Sequence, residues 1–301
     1  MDLPTNDYDV DAEGGTLRVI AFGAGPLPVL AVHGITASAM CWQAVARALP
    51  PDCTLYAVDL RGRGHSAALP GPFGFDAHAA DLRQTVAALG LECPALIGHS
   101  LGAYVALLAA DAHPGIFGSL VLVDGGLPLP VPADADLDAL MMASLGPALR
   151  RLAETYPTAD AYLDFWRAHP ALTHWTSDVE DYVRYDLTGE PGALRSRANP
   201  DAVRADSREL LTGTERISAA LYRLSRPTPV LRAPAGMFGH PPGLLPDELV
   251  SHWQRQVLQL QVTTLPETNH YSILFSPRTA DIAAQLYCAA GWGNRLGHDE
   301  Q

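Results

Sequence analysis

The 301-residue chain is long enough for one large domain, or for a core domain that carries a sizeable insertion. Its 48% hydrophobic and 18% charged residues are typical of a folded globular protein and exclude a disordered chain. The net charge of -13 argues against a nucleic-acid partner, and because all 20 basic residues are Arg, enzymes that need a Schiff-base or P-loop lysine are excluded.

Short apolar runs alternate with helical segments along the chain, which predicts a parallel sheet covered by helices on both faces. The predicted strands are residues 17–21, 28–32, 54–58, 95–97, 119–123, 229–231 and 259–265. The predicted core helices are residues 40–49, 75–89 and 101–112. Because right-handed βαβ units keep their strands parallel, the carboxyl ends of the strands meet at one edge, where ligands bind.

A sharp turn that carries a serine is predicted between strand 95–97 and helix 101–112. The pentapeptide Gly98-His99-Ser100-Leu101-Gly102 has GxSxG spacing, in which glycines flank the serine because side chains there would collide with the neighbouring strand and helix. Ser100 is thereby presented at a helix N-terminus, where free N–H groups favour negative charge. This context indicates a nucleophile, the alternative being a helix N-cap.

A second loop follows strand 28–32 and begins with His33 and Gly34. In a serine hydrolase such a loop supplies one backbone N–H, which binds the oxyanion together with the N–H of the residue after the nucleophile. We assign these two donors to Ile35 and Leu101. The alternative is an ordinary turn at His33.

The strand pattern stops after residue 123 and resumes near residue 229. We therefore predict a core domain of residues 1–126 and 227–301, with residues 127–226 inserted as a helical cap over the sheet edge. Within the insertion, Tyr162, Phe165 and Trp166 have the spacing of one helix face. Packing of the cap against the core is the alternative explanation for these aromatic residues.

The order of four segments resembles that of α/β-hydrolase-fold enzymes, and the resemblance covers nearly the whole chain outside the cap. The segments are His33-Gly34, the 59–66 run DLRGRGHS, the GxSxG pentapeptide and Asn269-His270-Tyr271. The resemblance implies an eight-stranded, mostly parallel sheet, a cap inserted after the sixth strand, and a nucleophile, acid and histidine in that chain order. It implies a structural turn at 59–66, to which we assign no catalytic role.

The general base must be one of eleven histidines. His270 follows the last predicted strand by a short loop, and the resemblance places the catalytic histidine after the last strand. His99 is adjacent to Ser100, but neighbouring side chains on a sharp turn point in different directions, so His99 is predicted to pack or to form a hydrogen bond. The remaining alternatives are His65, His240 and His252.

The acid departs from the pattern common in the family. Many relatives carry an Asp shortly after the seventh strand, but residues 229–240 contain no carboxylate. Asp124 ends strand 119–123, which a right-handed crossover places beside the strand that leads to Ser100, and some members of the family take their acid from this sixth strand. We predict that Asp124 orients His270. The alternatives are Asp247 or Glu248 as the acid, and a turn-forming role for Asp124.

These residues predict a serine hydrolase that cleaves a carboxylic ester or lactone through an acyl-enzyme, with no metal or organic cofactor. A carbon–carbon bond hydrolase, an acyltransferase, a cofactor-free perhydrolase and a non-catalytic ligand receptor are the alternatives. Dehalogenases and epoxide hydrolases of this fold use Asp as the nucleophile, so Ser100 argues against both. The aromatic cap favours an apolar substrate moiety. Residues predicted to contact substrate are His33, Met40, Trp42, Trp166, Trp175 and Tyr271.

The predicted partner is a small molecule, with no nucleic acid and no membrane, and the predicted state is a cytoplasmic monomer or homodimer. Residues 1–7 lack the basic and apolar parts of a secretion signal, and no apolar run approaches the roughly 18 residues of a membrane span. The cysteines lie too far apart to indicate a zinc site or a disulfide framework. They are Cys41, Cys53, Cys93 and Cys288.

Overall fold

A computed structural model describes residues 3–132 and 134–294 of the chain, and a large mixed sheet forms its centre. The strands are β1 Thr5–Ala12, β2 Gly15–Gly23, β3 Leu27–Val32, β4 Cys53–Val58, β5 Ala95–His99, β6 Ser119–Val123, β7 Leu187–Thr188, β8 Arg195–Ser196, β9 Thr228–Arg232 and β10 Leu260–Thr264. The sheet has eight strands in the order β1-β2-β4-β3-β5-β6-β9-β10, and β7 pairs with β8 separately. Only the β1–β2 and β2–β4 pairings of the large sheet are antiparallel. The predicted eight-stranded, mostly parallel sheet is confirmed.

Helices cover both faces of the sheet. They are α1 Gln43–Ala48, α2 Phe75–Ala88, α3 Leu101–Ala112, α4 Leu137–Ala153, α5 Ala159–Arg167, α6 Ser177–Tyr185, α7 Pro200–Thr212, α8 Thr214–Tyr222, α9 Asp247–Gln256 and α10 Thr279–Ala289. The core helices α2 and α3 bury apolar residues on one face, and α1 and α10 do so on the other. No helix among the described residues is both long and apolar enough to span a membrane.

The central strands are mostly apolar because both of their faces are buried. In β3, Leu30 and Val32 belong to one hydrophobic core, while Val29 and Ala31 belong to the core on the opposite face. This alternation follows from the two-residue period of a strand, and it explains why β3 has no polar position. The continuous apolar runs that predicted the central strands are therefore the signature of a sheet covered on both faces.

The segment between β6 and β9 contains α4 to α8 and the small β7–β8 pair. Side chains cap four of its helices at the N-terminus, namely Asp136 before α4, Thr158 before α5, Thr176 before α6 and Asn199 before α7. Tyr162 and Trp166 are buried within this segment. The division into a core and a cap at residues 127–226 stays a prediction, and residues 1–2, 133 and 295–301 of those ranges lie outside the described residues.

Five of the six parallel strands are followed by loops that meet at one edge of the sheet around the candidate site. The loops follow β3, β5, β6, β9 and β10 and begin at His33, Ser100, Asp124, Ala233 and Leu265. These are the carboxyl ends of adjacent strands, where open α/β sheets bind ligands. The sheet topology therefore places the residues singled out in the sequence near one another.

Candidate active site

Ser100 lies in the turn between β5 and α3, with φ 55° and ψ −123°. A positive φ is uncommon for a residue with a side chain and is typical of a strained nucleophile turn. Glycine is required on both sides, because a Cβ at Gly98 would lie 2.0 Å from the carbonyl oxygen of Gly102, and one at Gly102 would lie 2.1 Å from that of Val32. The Ser100 N–H donates to the Val123 carbonyl at 3.0 Å, which ties the turn to the neighbouring strand.

His270 lies beside Ser100, in the loop that follows β10. Its Nε2 is 3.0 Å from Ser100 Oγ, and its Nδ1 is 2.7 Å from Asp124 Oδ2. Exposed fractions are only 5% for His270 and 0% for Asp124. Because Nδ1–H donates a hydrogen bond to the carboxylate, the proton stays on Nδ1 and Nε2 is left free to accept the Ser100 hydroxyl proton. The three residues proposed from the sequence thus form one hydrogen-bonded series, Ser100–His270–Asp124, which we call the relay.

The loop around His270 is held by the side chain of Asn269. Its Oδ1 accepts the Tyr271 N–H at 3.0 Å, and its Nδ2 donates to the Ala171 carbonyl at 2.9 Å. The His270 N–H itself donates to the Ala235 carbonyl at 3.1 Å. Asn269 entered the sequence argument only as part of a motif, whereas the structure gives its side chain the role of fixing the turn.

The carboxylate at His270 comes from the end of β6. Asp124 Oδ1 also accepts the backbone N–H of Ala233 at 3.0 Å. Ala233 follows β9, so the stretch that lacks a carboxylate contributes a backbone donor to the acid. Asp247 and Glu248 lie exposed in the first turn of α9, where Asp247 pairs with an arginine of β9. The structure brings Asp124, and neither of the two alternatives, to His270.

The loop after β3 passes close to Ser100. A Cβ at Gly34 would lie 3.1 Å from Ser100 Cβ and 3.6 Å from Ser100 Oγ. The backbone N–H groups of Ile35 and Leu101 have no hydrogen-bond acceptor in the part of the chain that the structure describes, and both residues line the cavity that contains Ser100. Unpaired N–H groups beside a nucleophile are the requirement for an oxyanion hole.

His33 is buried beneath this loop. Burial lowers the pKa of His33 to about 3, so its ring is neutral near pH 7. The Leu60 N–H donates to Nε2 at 3.0 Å, which assigns the ring proton to Nδ1, and Nδ1 donates to the Gly34 carbonyl at 2.7 Å. Because the Gly34 carbonyl and the Ile35 N–H belong to one planar peptide, this bond orients the Ile35 N–H.

His99 lies directly beside His270, with 4.8 Å between the centres of the two rings. Its Nε2 donates to the His270 carbonyl at 3.0 Å. Burial and the neighbouring His270 hold the pKa of His99 well below its usual range, so the ring is neutral. His99 therefore supports the backbone of His270, in keeping with the expectation that it packs or forms a hydrogen bond.

A cavity that opens to solvent contains Ser100 and His270 in its wall, and the empty space in and before it, open solvent included, is about 970 Å³. Apolar side chains from the 127–226 segment and from the loops after β9 and β10 form most of that wall. They include Leu129, Met141, Leu145, Tyr182, Leu210, Leu211, Met237, Leu244, Leu274 and Phe275. None of the side chains found in the wall, within the described residues, is an Asp, Glu or Arg. The cavity is suited to an uncharged, largely apolar ligand.

The six residues predicted to contact substrate are divided by the structure. Tyr271 lines the cavity, and Trp166 lines a smaller adjoining pocket. The other four lie outside the cavity, which corrects the expectation that they contact substrate. His33 and Trp42 are fully buried, while Met40 and Trp175 are half-buried and pack against the core.

Comparisons with known proteins agree with this architecture. The family model described as alpha/beta hydrolase fold matches residues 28–160. The chain is 32% identical over 234 residues to Lipase LipV of Mycobacterium tuberculosis, covering 69% of this chain and 88% of that protein. It is 41% identical over 118 residues to N-formylmaleamate deformylase of Pseudomonas putida, a match that spans 38% of this chain and only 44% of the deformylase.

A solved structure extends the likeness to nearly the whole chain. The crystal structure of E-2-(acetamidomethylene)succinate hydrolase covers 95% of this chain and 100% of its own, with a TM-score of 0.79 and 23% identity. At this identity the likeness concerns the fold. The eight-stranded sheet and the loops at its edge have the architecture of an α/β hydrolase. The match to the lipase shows that the likeness holds in the amino-acid sequence as well. The chain belongs to the α/β-hydrolase-fold family.

Proposed function

We propose that the protein hydrolyses uncharged carboxylic esters or lactones with an apolar moiety, through an acyl-enzyme formed on Ser100. One observation carries the proposal. Ser100 and His270, hydrogen-bonded to each other and through His270 to Asp124, face a cavity whose described wall has no Asp, Glu or Arg side chain. A nucleophile, a base and an orienting acid in hydrogen-bond contact are what acyl transfer to a serine requires.

In the proposed mechanism, Ser100 Oγ attacks the ester carbonyl carbon while His270 Nε2 takes the hydroxyl proton. The carbonyl oxygen becomes an oxyanion, for which the Ile35 and Leu101 N–H groups are the candidate donors. The bond to the leaving alcohol then breaks, and His270 returns the proton to the alcohol oxygen. Water, deprotonated by His270, attacks the acyl carbon. The bond from the acyl carbon to Ser100 Oγ then breaks, His270 returns the proton to Oγ, and the acid is released.

The preference for an uncharged substrate is supported by the one arginine that lines the adjoining pocket within the described residues. Arg151 stacks on Trp166, with 4.9 Å between its guanidinium carbon and the ring centre. Its Nη1 is 2.7 Å from Asp186 Oδ2, so the positive charge is already compensated. Maleamate and succinate, which occur in the names of two relatives, are carboxylates, and the described cavity wall offers no free cation to bind such a group.

The ligand-receptor alternative rested on the missing carboxylate after β9. The position of Asp124 at 2.7 Å from His270 Nδ1 removes that reason and favours an enzyme. We also propose that residues 127–226 act as a cap, since their side chains, among them Leu210 and Leu211 of α7, form much of the cavity wall.

The proposed nucleophile is tested with a fluorophosphonate probe, which labels activated serines covalently. The expected result is labelling of the native protein and none of Ser100→Ala. Ser207→Ala is the matched control, because Ser207 lines the same cavity but donates its hydroxyl to the Val203 carbonyl at 2.6 Å and forms no hydrogen bond to a histidine within the described residues. It should label like the native protein. Labelling of Ser100→Ala, or none of the native protein, contradicts the acyl-enzyme mechanism.

The substrate class is tested with p-nitrophenyl butyrate and octanoate against a p-nitrophenyl ester that carries a terminal carboxylate, such as the succinate monoester. Uncharged esters should be hydrolysed with the higher kcat/KM, because the carboxylate would be desolvated without a partner. A preference for the charged ester would contradict the proposed class and leave the nucleophile intact.

A further inference from the structure

A buried ion pair joins the inserted segment to the core behind the candidate oxyanion loop. Asp206, on α7, has its Oδ2 2.5 Å from Arg63 Nη2 and 3.0 Å from His78 Nε2. Arg63 belongs to the turn after β4, and His78 belongs to α2. All three side chains are buried, with at most 1% exposed. Burial lowers the pKa of Arg63, but the charge of Asp206 opposes that shift and holds the guanidinium in its charged form.

The same guanidinium holds the loop that passes Ser100. Arg63 Nε donates to the Ile35 carbonyl at 2.9 Å, and its Nη1 donates to the Arg61 carbonyl at 3.0 Å. The Ile35 N–H is a candidate oxyanion donor. His33 fixes the peptide on the N-terminal side of Ile35, and Arg63 fixes the peptide on its C-terminal side. With both flanking peptides fixed, the direction of the Ile35 N–H is set.

We propose that Asp206 is a positioning residue for the oxyanion hole: it fixes Arg63, and Arg63 fixes Ile35, so that the inserted segment sets the geometry at Ser100. The inference rests on the proposed acyl-enzyme chemistry. Its consequence is that the oxyanion loop is fully ordered only when α7 is docked on the core. Docking of the segment between β6 and β9 therefore controls the rate of the chemical step as well as the shape of the cavity.

A second buried pair in the same turn supplies the matched control. Arg61 donates to both carboxylate oxygens of Asp81, from Nε at 2.8 Å and from Nη2 at 2.7 Å, and both side chains are buried. This pair joins the turn to α2 and has no recorded hydrogen bond to the oxyanion loop within the described residues. Asp81→Asn thus breaks an equally buried Arg–Asp pair without touching Ile35.

The test compares Asp206→Asn, Arg63→Lys and Asp81→Asn in steady-state hydrolysis of p-nitrophenyl butyrate. Arg63→Lys keeps a positive charge beside Asp206 but removes the N–H groups that donate to the Ile35 and Arg61 carbonyls. It also tests the proposal in the case that Asp206→Asn does not fold. Because removing an oxyanion donor costs about 10²- to 10³-fold in kcat, displacing one should lower kcat about tenfold or more in the first two variants, with KM within about twofold. Asp81→Asn should lower the melting temperature while kcat stays within about twofold of the native value.

Hydrogen–deuterium exchange supplies a readout that does not depend on catalysis. The Ala37 N–H donates to the Gly34 carbonyl at 3.1 Å and reports on the order of the loop. Exchange in a peptide covering residues 33–38 should be faster in Asp206→Asn and Arg63→Lys than in the native protein, and unchanged in Asp81→Asn. Equal losses of kcat in Asp206→Asn and Asp81→Asn, or unchanged exchange in Asp206→Asn, overturn the positioning role. If the native protein reacts neither with esters nor with fluorophosphonate, the proposed function is wrong. The hydrogen–deuterium exchange of residues 33–38 then still tests whether Asp206 orders the loop.

Discussion

Replacement of Asp124 by Asn is the sharpest test of the relay. Asp124 accepts two hydrogen bonds, from His270 Nδ1 at 2.7 Å and from the Ala233 N–H at 3.0 Å. An asparagine has one oxygen and one amino group, and the Ala233 N–H requires the oxygen. The amino group then faces His270 Nδ1, which must become an acceptor. The ring proton moves to Nε2, where it blocks proton transfer from Ser100.

The magnitude follows from this forced tautomer. Loss of the correct tautomer lowers kcat by about 10⁴-fold in a serine protease of known mechanism, so we expect a loss of about 10²-fold or more for Asp124→Asn. A loss of 10²-fold corresponds to about 2.7 kcal/mol of transition-state stabilisation. KM should change little, because Asp124 is fully buried and does not line the cavity.

The assay is p-nitrophenyl butyrate hydrolysis by the native protein, Asp124→Asn and the control Asp247→Asn. Asp247 is exposed and pairs with Arg232, so its replacement should leave kcat within about twofold, as expected for a surface ion pair. Retention of more than a tenth of the native kcat by Asp124→Asn would refute the reasoning. A large loss in Asp247→Asn would instead move the acid to α9.

Two further predictions concern the loop before Ser100 and the turn after β4. Gly34→Ala adds a Cβ 3.1 Å from Ser100 Cβ, so kcat on p-nitrophenyl butyrate should fall about tenfold or more, with a small change in melting temperature. An unchanged kcat would show that the loop can shift without displacing the oxyanion donor. Asp59 accepts hydrogen bonds from the Ala39 and His65 N–H groups and the Tyr185 hydroxyl, yet burial raises its pKa from 3.8 to about 6. A raised carboxyl pKa means that the folded protein binds the proton more tightly than the unfolded chain, so this stabilisation is complete below about pH 4 and lost as the pH rises through about 6. In urea unfolding, the free energy of unfolding of the native protein should therefore fall relative to that of Asp59→Asn by on the order of 2 kcal/mol between pH 4 and 7. An equal pH dependence of the two proteins would contradict the shifted pKa.

The central sheet could be predicted from the sequence because its strands are buried on both faces. Residues 119–123 form β6 with the predicted bounds, and helix 101–112 is α3. The edge strand β1 was not predictable by the same signal. Most of its residues are exposed, among them Asp7 and Asp9, and its backbone pairs with β2 alone, so no apolar run marks it.

The candidate relay was predictable because each member follows a strand at a recognisable position. The residues of the cavity wall could not be predicted in the same way. Leu210 of α7 meets Met237 and Leu244, which come from the loop after β9, only through tertiary packing, and no local motif marks them. The prediction that Trp42 and Trp175 contact substrate is wrong because large aromatic side chains fill cores as readily as they line binding sites. The cytoplasmic location and the monomeric or dimeric state stay predictions.

The origin of the acid on β6 leaves the loop after β9 free to diverge. That loop contributes Met237 and Leu244 to the cavity, yet it bonds to the relay through backbone atoms only. These atoms are the N–H of residue 233, which donates to Asp124, and the carbonyl of residue 235, which accepts from the His270 N–H. Every amino acid except proline supplies the first, and every amino acid supplies the second. Residues 237, 238 and 244 can therefore be randomised in a library that searches for new acyl or alcohol specificities without altering any side chain of the relay. Gly239, with φ 78°, and Gly243, whose added Cβ would lie 2.2 Å from the Ala233 carbonyl oxygen, have to be kept.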